Sequence, residues 1–219
     1  LSIREQLDQG RSLFHDKKVG QDFIAYFQAY TNTYAPPPYL EQIYTEALDC
    51  PDVCGISIAT RPDCLPDDVL ALLTKLKDRY PDKFIWIELG LQTIHQTTAD
   101  YIRRGYALPC FEETFRGLCA IGIPVIVHVI LGLPGEHRED MLATIDYLGG
   151  AHRPDGVKLQ LLHVLKGTEL ADLWRAGRVP VMEPEEYYDL LCECLRRLPP
   201  DMVIHRLTGD GSKRILLAP

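Results

Sequence analysis

No apolar run in this chain is long enough to cross a bilayer: the longest are about ten residues and are interrupted by Glu88 or His128, against the roughly 20 that a membrane helix needs. Leu1 is followed by neither the basic stretch nor the apolar segment of a secretory signal, so the expected location is cytoplasmic, with no membrane partner. Seven cysteines cannot all pair, and without a secretory mark a disulfide framework is not expected; reduced thiols are. Basic charge is scarce. With 23 Lys and Arg against 31 Asp and Glu, the net charge of −8 argues against a large nucleic-acid footprint, although one local patch or basic segments outside this chain would supply it. Gly132-Leu-Pro-Gly135 lacks the Lys-Ser/Thr ending of a phosphate loop and the spacing of a dinucleotide fingerprint, which excludes both. There is no internal repeat, low-complexity tract or long linker, and 219 residues that are 46% hydrophobic suffice for one core, so residues 1–219 are read as one domain.

What is present is an alternation of two periodicities. Helical spacing covers residues 2–18, 36–48, 66–79, 96–104, 111–121, 138–148, 168–176 and 184–197. Strand-like runs cover 23–30, 53–60, 84–92, 124–131, 156–163 and 203–207. Nearly continuous apolar strands separated by helices imply a parallel sheet joined by right-handed crossovers. A barrel and an open doubly wound sheet both satisfy that pattern.

Two runs stand out, Phe84-Ile-Trp-Ile-Glu-Leu-Gly-Leu-Gln-Thr93 and Val125-Ile-Val-His-Val-Ile-Leu-Gly-Leu-Pro-Gly-Glu136. Each ends in a polar, glycine-bearing loop, where α/β proteins place ligands. Side chains two apart share a face, which puts Glu88, Gly90 and Gln92 together, His128, Ile130 and Gly132 together, and Tyr26, Gln28 and Tyr30 together. Gln28, Tyr30, Glu88, Gln92 and His128 then make a polar cluster at one end of the strands. Taken singly, each reads as a buried polar residue satisfied by a neighbour; taken jointly, they point to a ligand site. Tyr30 and Tyr34 are read as packing residues, with base stacking as the alternative. His163 and Lys166, after one strand, and His205 and Arg206, on the last, are further candidates for the mouth.

Along the chain, in order, stand Tyr26-Phe-Gln-Ala-Tyr-Thr-Asn-Thr-Tyr34, Thr60-Arg-Pro-Asp63, Glu88-Leu-Gly-Leu-Gln-Thr93, Ile102-Arg-Arg-Gly105, His128-Val-Ile-Leu-Gly-Leu-Pro-Gly-Glu136, Lys158-Leu-Gln-Leu-Leu-His-Val-Leu-Lys-Gly-Thr168 and His205-Arg-Leu-Thr208. By these motifs the chain resembles the radical S-adenosylmethionine superfamily, in the branch of the Elongator catalytic subunit and a related bacterial group. The resemblance implies a partial (β/α)6 barrel, truncated at both ends, with its first strand and cluster loop missing and S-adenosylmethionine across its C-terminal mouth. It implies that Gln92 meets the ribose or methionine part, Arg104 the methionine carboxylate and His128 the ribose hydroxyls. Gln28, Tyr30 and Thr31 stand where relatives carry a Gly-rich turn for the methionine amine. Arg61 substitutes for a carboxylate that relatives carry where this chain has Ala59; Glu88, from the polar cluster, and His163, from the mouth, complete the expected cofactor-binding set.

One absence bears on the chemistry. The family holds a 4Fe–4S cluster with C-x3-C-x2-C. Here Cys50 and Cys54 have the first interval, but Ser57 occupies the third position, so no metal ligand is assigned within this chain. Most of the cysteines are read as small core residues, with Cys64 and Cys110 on loops near the mouth. The resemblance implies reductive cleavage of S-adenosylmethionine to a 5'-deoxyadenosyl radical in the full-length protein, hydrogen abstraction from a substrate such as a tRNA nucleoside, and an electron donor such as flavodoxin or ferredoxin. The chain alone is expected to be inactive. The alternatives are a cluster-free (β/α) barrel lyase or isomerase using Lys158 or Lys166 with Glu88, and a non-catalytic S-adenosylmethionine-binding domain.

Overall fold

The computed structural model describes residues 1–13, 20, 22–28, 30–150, 152–209, 211 and 214–219. Phe14 to Lys18 of the first predicted helix and Ala29 of the first predicted strand lie outside the described residues. The elements are α1 (Ile3–Ser12), β1 (Phe23–Phe27), α2 (Pro37–Leu48), β2 (Val53–Thr60), a 3-10 turn (Pro62–Cys64), α3 (Asp67–Arg79), β3 (Phe84–Gln92), α4 (Gln96–Tyr101), α5 (Leu108–Ala120), β4 (Val125–Leu131), α6 (Arg138–Gly149), β5 (Gly156–Leu161), β6 (Val164–Leu165), α7 (Glu169–Arg175), α8 (Pro184–Arg197), β7 (Val203–Arg206) and β8 (Leu216–Ala218). Six strands form one sheet in the order β1-β2-β3-β4-β5-β7, and β6 pairs antiparallel with β8. No helix among the described residues is long and apolar enough to cross a membrane.

The chain divides into two units. The first comprises Leu1–Gly90 and Glu113–Val125. Its strands are parallel, and the register aligns Tyr26 with Ser57 and Ala59 with Glu88. Because the pleat alternates, Ile56 and Ile58 share one face with Ile85, Ile87 and Leu89, and all five are buried. Helices α2 and α3 supply Leu40, Tyr44, Leu48, Leu72, Leu73 and Leu76 to the same core. The opposite face carries Tyr26, Ser57 and Glu88, with Phe84 stacked on Trp86 at 4.5 Å below them. Helix α1 starts at a capping box, Ser2 and Glu5 each bonding the other's backbone N–H, as expected of Ser three residues before Glu.

The second unit comprises Leu91–Glu112 and Ile126–Pro219. Here β4, β5 and β7 run parallel, His128 aligned with Lys158, and Lys158 with Arg206 across a register shift. Val127, Val129, Leu131, Val157 and Leu159 form the buried face, which α6 and α8 accompany with Met141, Ile145, Leu148, Tyr187, Leu190 and Cys194. The other face carries His128, Ile130, Lys158 and Gln160. The β6/β8 pair has its own small core of Val164, Ala171 and Ala218.

Several boundaries differ from the sequence expectation. Strand β1 ends at Phe27 rather than at Tyr30, which has left-handed φ 60°. Helix α4 ends at Tyr101 rather than Arg104, because Arg103 turns left-handed (φ 55°) and its N–H bonds Asp100 O while that of Arg104 bonds Ala99 O, a Schellman closure. Helix α5 starts at Leu108, with Pro109 in the first turn, where its missing N–H is harmless; Cys110 is therefore helical rather than in a loop. Strand β5 stops at Leu161, leaving His163 in a connection. The β6/β8 pair was not foreseen, since strands of two and three residues carry no readable period.

Candidate functional site

In the first unit, the Glu88 carboxylate lies buried on the polar face of β3. Its Oε2 accepts from the Tyr26 hydroxyl and its Oε1 from the Ser57 hydroxyl, both at 2.7 Å. One carboxylate thus ties the three strands together on that face. The loop after β1 is anchored by its own motif. Asn32 reaches Ala59 O through its backbone N–H and its side chain, the buried Thr33 hydroxyl donates to Cys64 O and touches the Thr60 hydroxyl, and Tyr44 donates to Asn32 O. Burial pushes the Tyr44 phenol upward, so that hydroxyl stays a donor.

These staples leave Tyr30 98% and Tyr34 83% exposed, so the two rings are presented rather than packed, which corrects the packing expectation. Gln28 is exposed beside a 590 Å³ cavity shared with Ile3, Leu7, Ile24 and Tyr26, while Thr31 is half-buried. Arg61 turns its fork on Asp63, at 2.9 and 2.6 Å, and holds that carboxyl below its ordinary range.

In the second unit, Arg104 is 6% exposed and faces carbonyls. Its Nη1 donates to Leu91 O (2.9 Å) and Thr93 O (2.6 Å), and its Nε (3.1 Å) and Nη2 (2.9 Å) donate to Tyr106 O. Burial lowers its pKa. The fork that sequence reasoning offered to a carboxylate is therefore spent on the backbone after β3. The same segment is tied to the loop after β4, since the Thr93 hydroxyl donates to Glu136 at 2.5 Å and accepts from His95 N–H. Desolvation raises the Glu136 pKa. Gly132 (φ 82°) and Gly135 (φ 86°) give that loop its two left-handed turns, and it leads into α6, whose first turn is capped by Asp140 on the His137 N–H.

Gln92, half-buried at the end of β3, has φ 66°, and its side-chain amide has no partner among the described residues. His128 meets Gln160, whose Nε2 lies 3.1 Å from His128 Nδ1. With the amide donating, Nδ1 accepts and the ring proton sits on Nε2. Long-range ¹⁵N–¹H NMR on histidine-labelled protein should show His128 as the Nε2–H tautomer. Gln160→Glu, which can only accept at its carboxylate, should move the proton to Nδ1; an unchanged tautomer would refute the pairing. Gln160 was missed in the sequence; its parity with Lys158 was the available signal, and its place opposite Ile130 came only with the register.

The cysteines give no cluster. Cys50 is buried with its thiol on Glu46 O, Cys54 lies in β2 with its thiol on Phe23 O, and all seven are unbridged. Burial pushes the Cys194 thiol up to about 11. Among the described residues no group of three or more His, Cys, Asp or Glu is placed to hold a metal ion. Within the first unit, then, Glu88 joins Tyr26 and Ser57 while Arg61 pairs with Asp63. Within the second, Gln92, His128 and His163 remain ligand candidates and Arg104 serves the backbone. Lys166 is exposed.

Comparison with known proteins bears on the family and the fold. The Radical SAM superfamily model matches residues 11–148 and the Radical SAM C-terminal domain matches residues 154–219. The chain is 41% identical over 95% of its length to the uncharacterized protein YtqA of Bacillus subtilis and 38% identical over 100% to protein YhcC of Escherichia coli; it spans 64% and 69% of those proteins. Over 82% of its length it is 30% identical to human Elongator complex protein 3, of which it spans 31%. Among solved structures, an N-terminally deleted Elp3 of Methanocaldococcus infernus aligns over 99% of the chain and 54% of its own, with TM-score 0.79 and 19% identity. Coproporphyrinogen III oxidase of Escherichia coli aligns over 79% of the chain and 39% of its own, with TM-score 0.59 and 17% identity. The likeness shows the fold, a parallel six-stranded partial (β/α) barrel. With both family models matched in order along nearly the whole sequence, the chain belongs to the radical SAM superfamily of enzymes.

Proposed function

We propose that this chain is the S-adenosylmethionine-binding core of a radical SAM enzyme acting on a tRNA nucleoside. The observation that carries the reading is Gln92. A non-glycine residue in the left-handed region costs on the order of 1 kcal/mol and persists where surroundings impose it, often at ligand sites. Here that backbone presents a half-buried amide with no protein partner among the described residues. An amide that donates and accepts suits ribose hydroxyls, and so does the imidazole of His128 on the polar face of β4. These donors fit the nucleoside part of S-adenosylmethionine.

The cysteines of this chain do not fit a 4Fe–4S cluster. Bound to the full-length protein, S-adenosylmethionine would supply the group that takes hydrogen from a substrate C–H bond, with a donor such as flavodoxin or ferredoxin as the proposed source of electrons. The task of this chain's residues is to hold the cofactor's ribose and fix its orientation. Similarity to Elongator complex protein 3 supports a tRNA nucleoside as substrate.

The test uses the full-length natural protein, reconstituted anaerobically. About four irons per chain and 5'-deoxyadenosine on reduction are expected, with Gln92→Ala weakening S-adenosylmethionine binding by up to about tenfold. A folded full-length protein that takes up no iron and binds no S-adenosylmethionine would overturn the reading.

A further inference from the structure

Beside the Gln160–His128 pair, the second unit holds a cluster around Arg206 and His163 to which that reading gives no role. A 300 Å³ cavity opens at the end of β5, lined by Gln160, His163, Arg206, Gly209 and Gly211 among others. Arg206 and His163 are both half-buried, and neither has a hydrogen bond or ion pair among the described residues. A guanidinium drawn partly out of water with no protein partner keeps donors that water or an anion must satisfy. Arg206 also stands opposite Lys158 in the sheet register, and like charges directly opposite destabilise a strand pair. In a chain of net charge −8, two basic strand residues side by side with an unpaired imidazole nearby are a local exception.

The imidazole lies close against two glycines. A Cβ on Gly209 would lie 2.5 Å from His163 Cε1 and 2.9 Å from its Nδ1, and one on Gly211 would lie 2.9 Å from Nδ1. Neither glycine has the left-handed φ that would require glycine for backbone reasons. Close approach to the ring is what needs the missing side chain.

The geometry points to an oxyanion subsite in which Arg206 and His163 take a phosphate group of the substrate. The two donors come from different elements, β7 and the connection after β5. Donors arriving from separate directions suit a tetrahedral oxyanion; one Arg fork would saturate a planar carboxylate. The subsite deepens the proposed function, resting on it only for the statement that the phosphate belongs to the substrate.

The experiment is a ³¹P NMR titration of inorganic phosphate into the full-length protein, repeated with Arg206→Gln and Gly209→Ala, and with S-adenosylmethionine affinity measured in parallel. Saturable broadening is expected in the wild type, weakened roughly tenfold in either variant, while S-adenosylmethionine affinity holds; acetate should compete poorly. Arg206→Lys, which keeps the charge and loses the fork, should recover part of the binding and so separates loss of the site from misfolding. Competition by a short RNA, with a salt slope lower by about one in Arg206→Gln, would assign the phosphate to nucleic acid; competition by a nucleoside monophosphate alone would assign it to a small substrate. Phosphate that does not bind, or binds equally to wild type and both variants, would overturn the subsite. Phosphate binding without S-adenosylmethionine binding would keep the subsite and discard the enzyme reading.

Discussion

Replacing Arg104 by methionine should lower the stability of the protein by about 3–5 kcal/mol and its Tm by on the order of 10 °C. Methionine fills a similar volume, so the loss isolates the guanidinium. Four of its five N–H groups reach the carbonyls of Leu91, Thr93 and Tyr106, and the side chain is 6% exposed, so no water replaces them readily. The cation also lies 4.7 Å over the Tyr106 ring. Arg104→Lys should recover less than half of the loss, because one ammonium cannot span carbonyls from both sides of the turn. Urea unfolding with a fixed m-value is the measurement. A loss below about 1 kcal/mol for Arg104→Met would show the carbonyls to be solvated and the guanidinium available to a ligand. The same contacts set a limit on any cofactor role, since one N–H of Nη2 is all that the fork leaves unassigned.

The second large effect is expected at Glu88. Glu88→Ala removes an acceptor shared by the Tyr26 and Ser57 hydroxyls and opens a cavity in a residue 3% exposed, which should cost about 2–4 kcal/mol. The Ser57 hydroxyl, itself 2% exposed, loses a partner that solvent cannot replace. Tyr26→Phe alone should cost less, near 1 kcal/mol, because the Tyr26 side chain is partly in solvent. In a double-mutant cycle the two changes should be coupled by at least about 0.5 kcal/mol. Strict additivity would mean that the 2.7 Å contact contributes nothing and that Glu88 is held by its other neighbours.

Much of the fold was legible because it is written in local periods. Strands β2 and β3 match the apolar runs residue for residue, and the parity that put Glu88 and Gln92 on one face and His128 on the polar face of its strand follows from a pleat that needs no knowledge of partners. The ends of elements were less legible. Phe27, Tyr101 and Leu161 terminate their elements through left-handed turns or through new pairings with distant chain, and neither leaves a periodic mark.

The site divides along the same line. The family resemblance offered Arg104 to the methionine carboxylate, a role its guanidinium fork suits, yet the carbonyls of Leu91, Thr93 and Tyr106 converge on it only once α4 has closed on its Schellman turn. Gln160 and Arg206 drew little attention as letters in a strand. The register of β4, β5 and β7 is what sets one against His128 and the other opposite Lys158. By itself, then, the sequence determined the parallel α/β alternation, the faces of its strands and the family, all properties of order and spacing along the chain. Only the tertiary structure decided which polar groups satisfy one another and which stay open to a ligand, because hydrogen bonds reach about 3 Å and their partners here lie tens of residues apart in the chain.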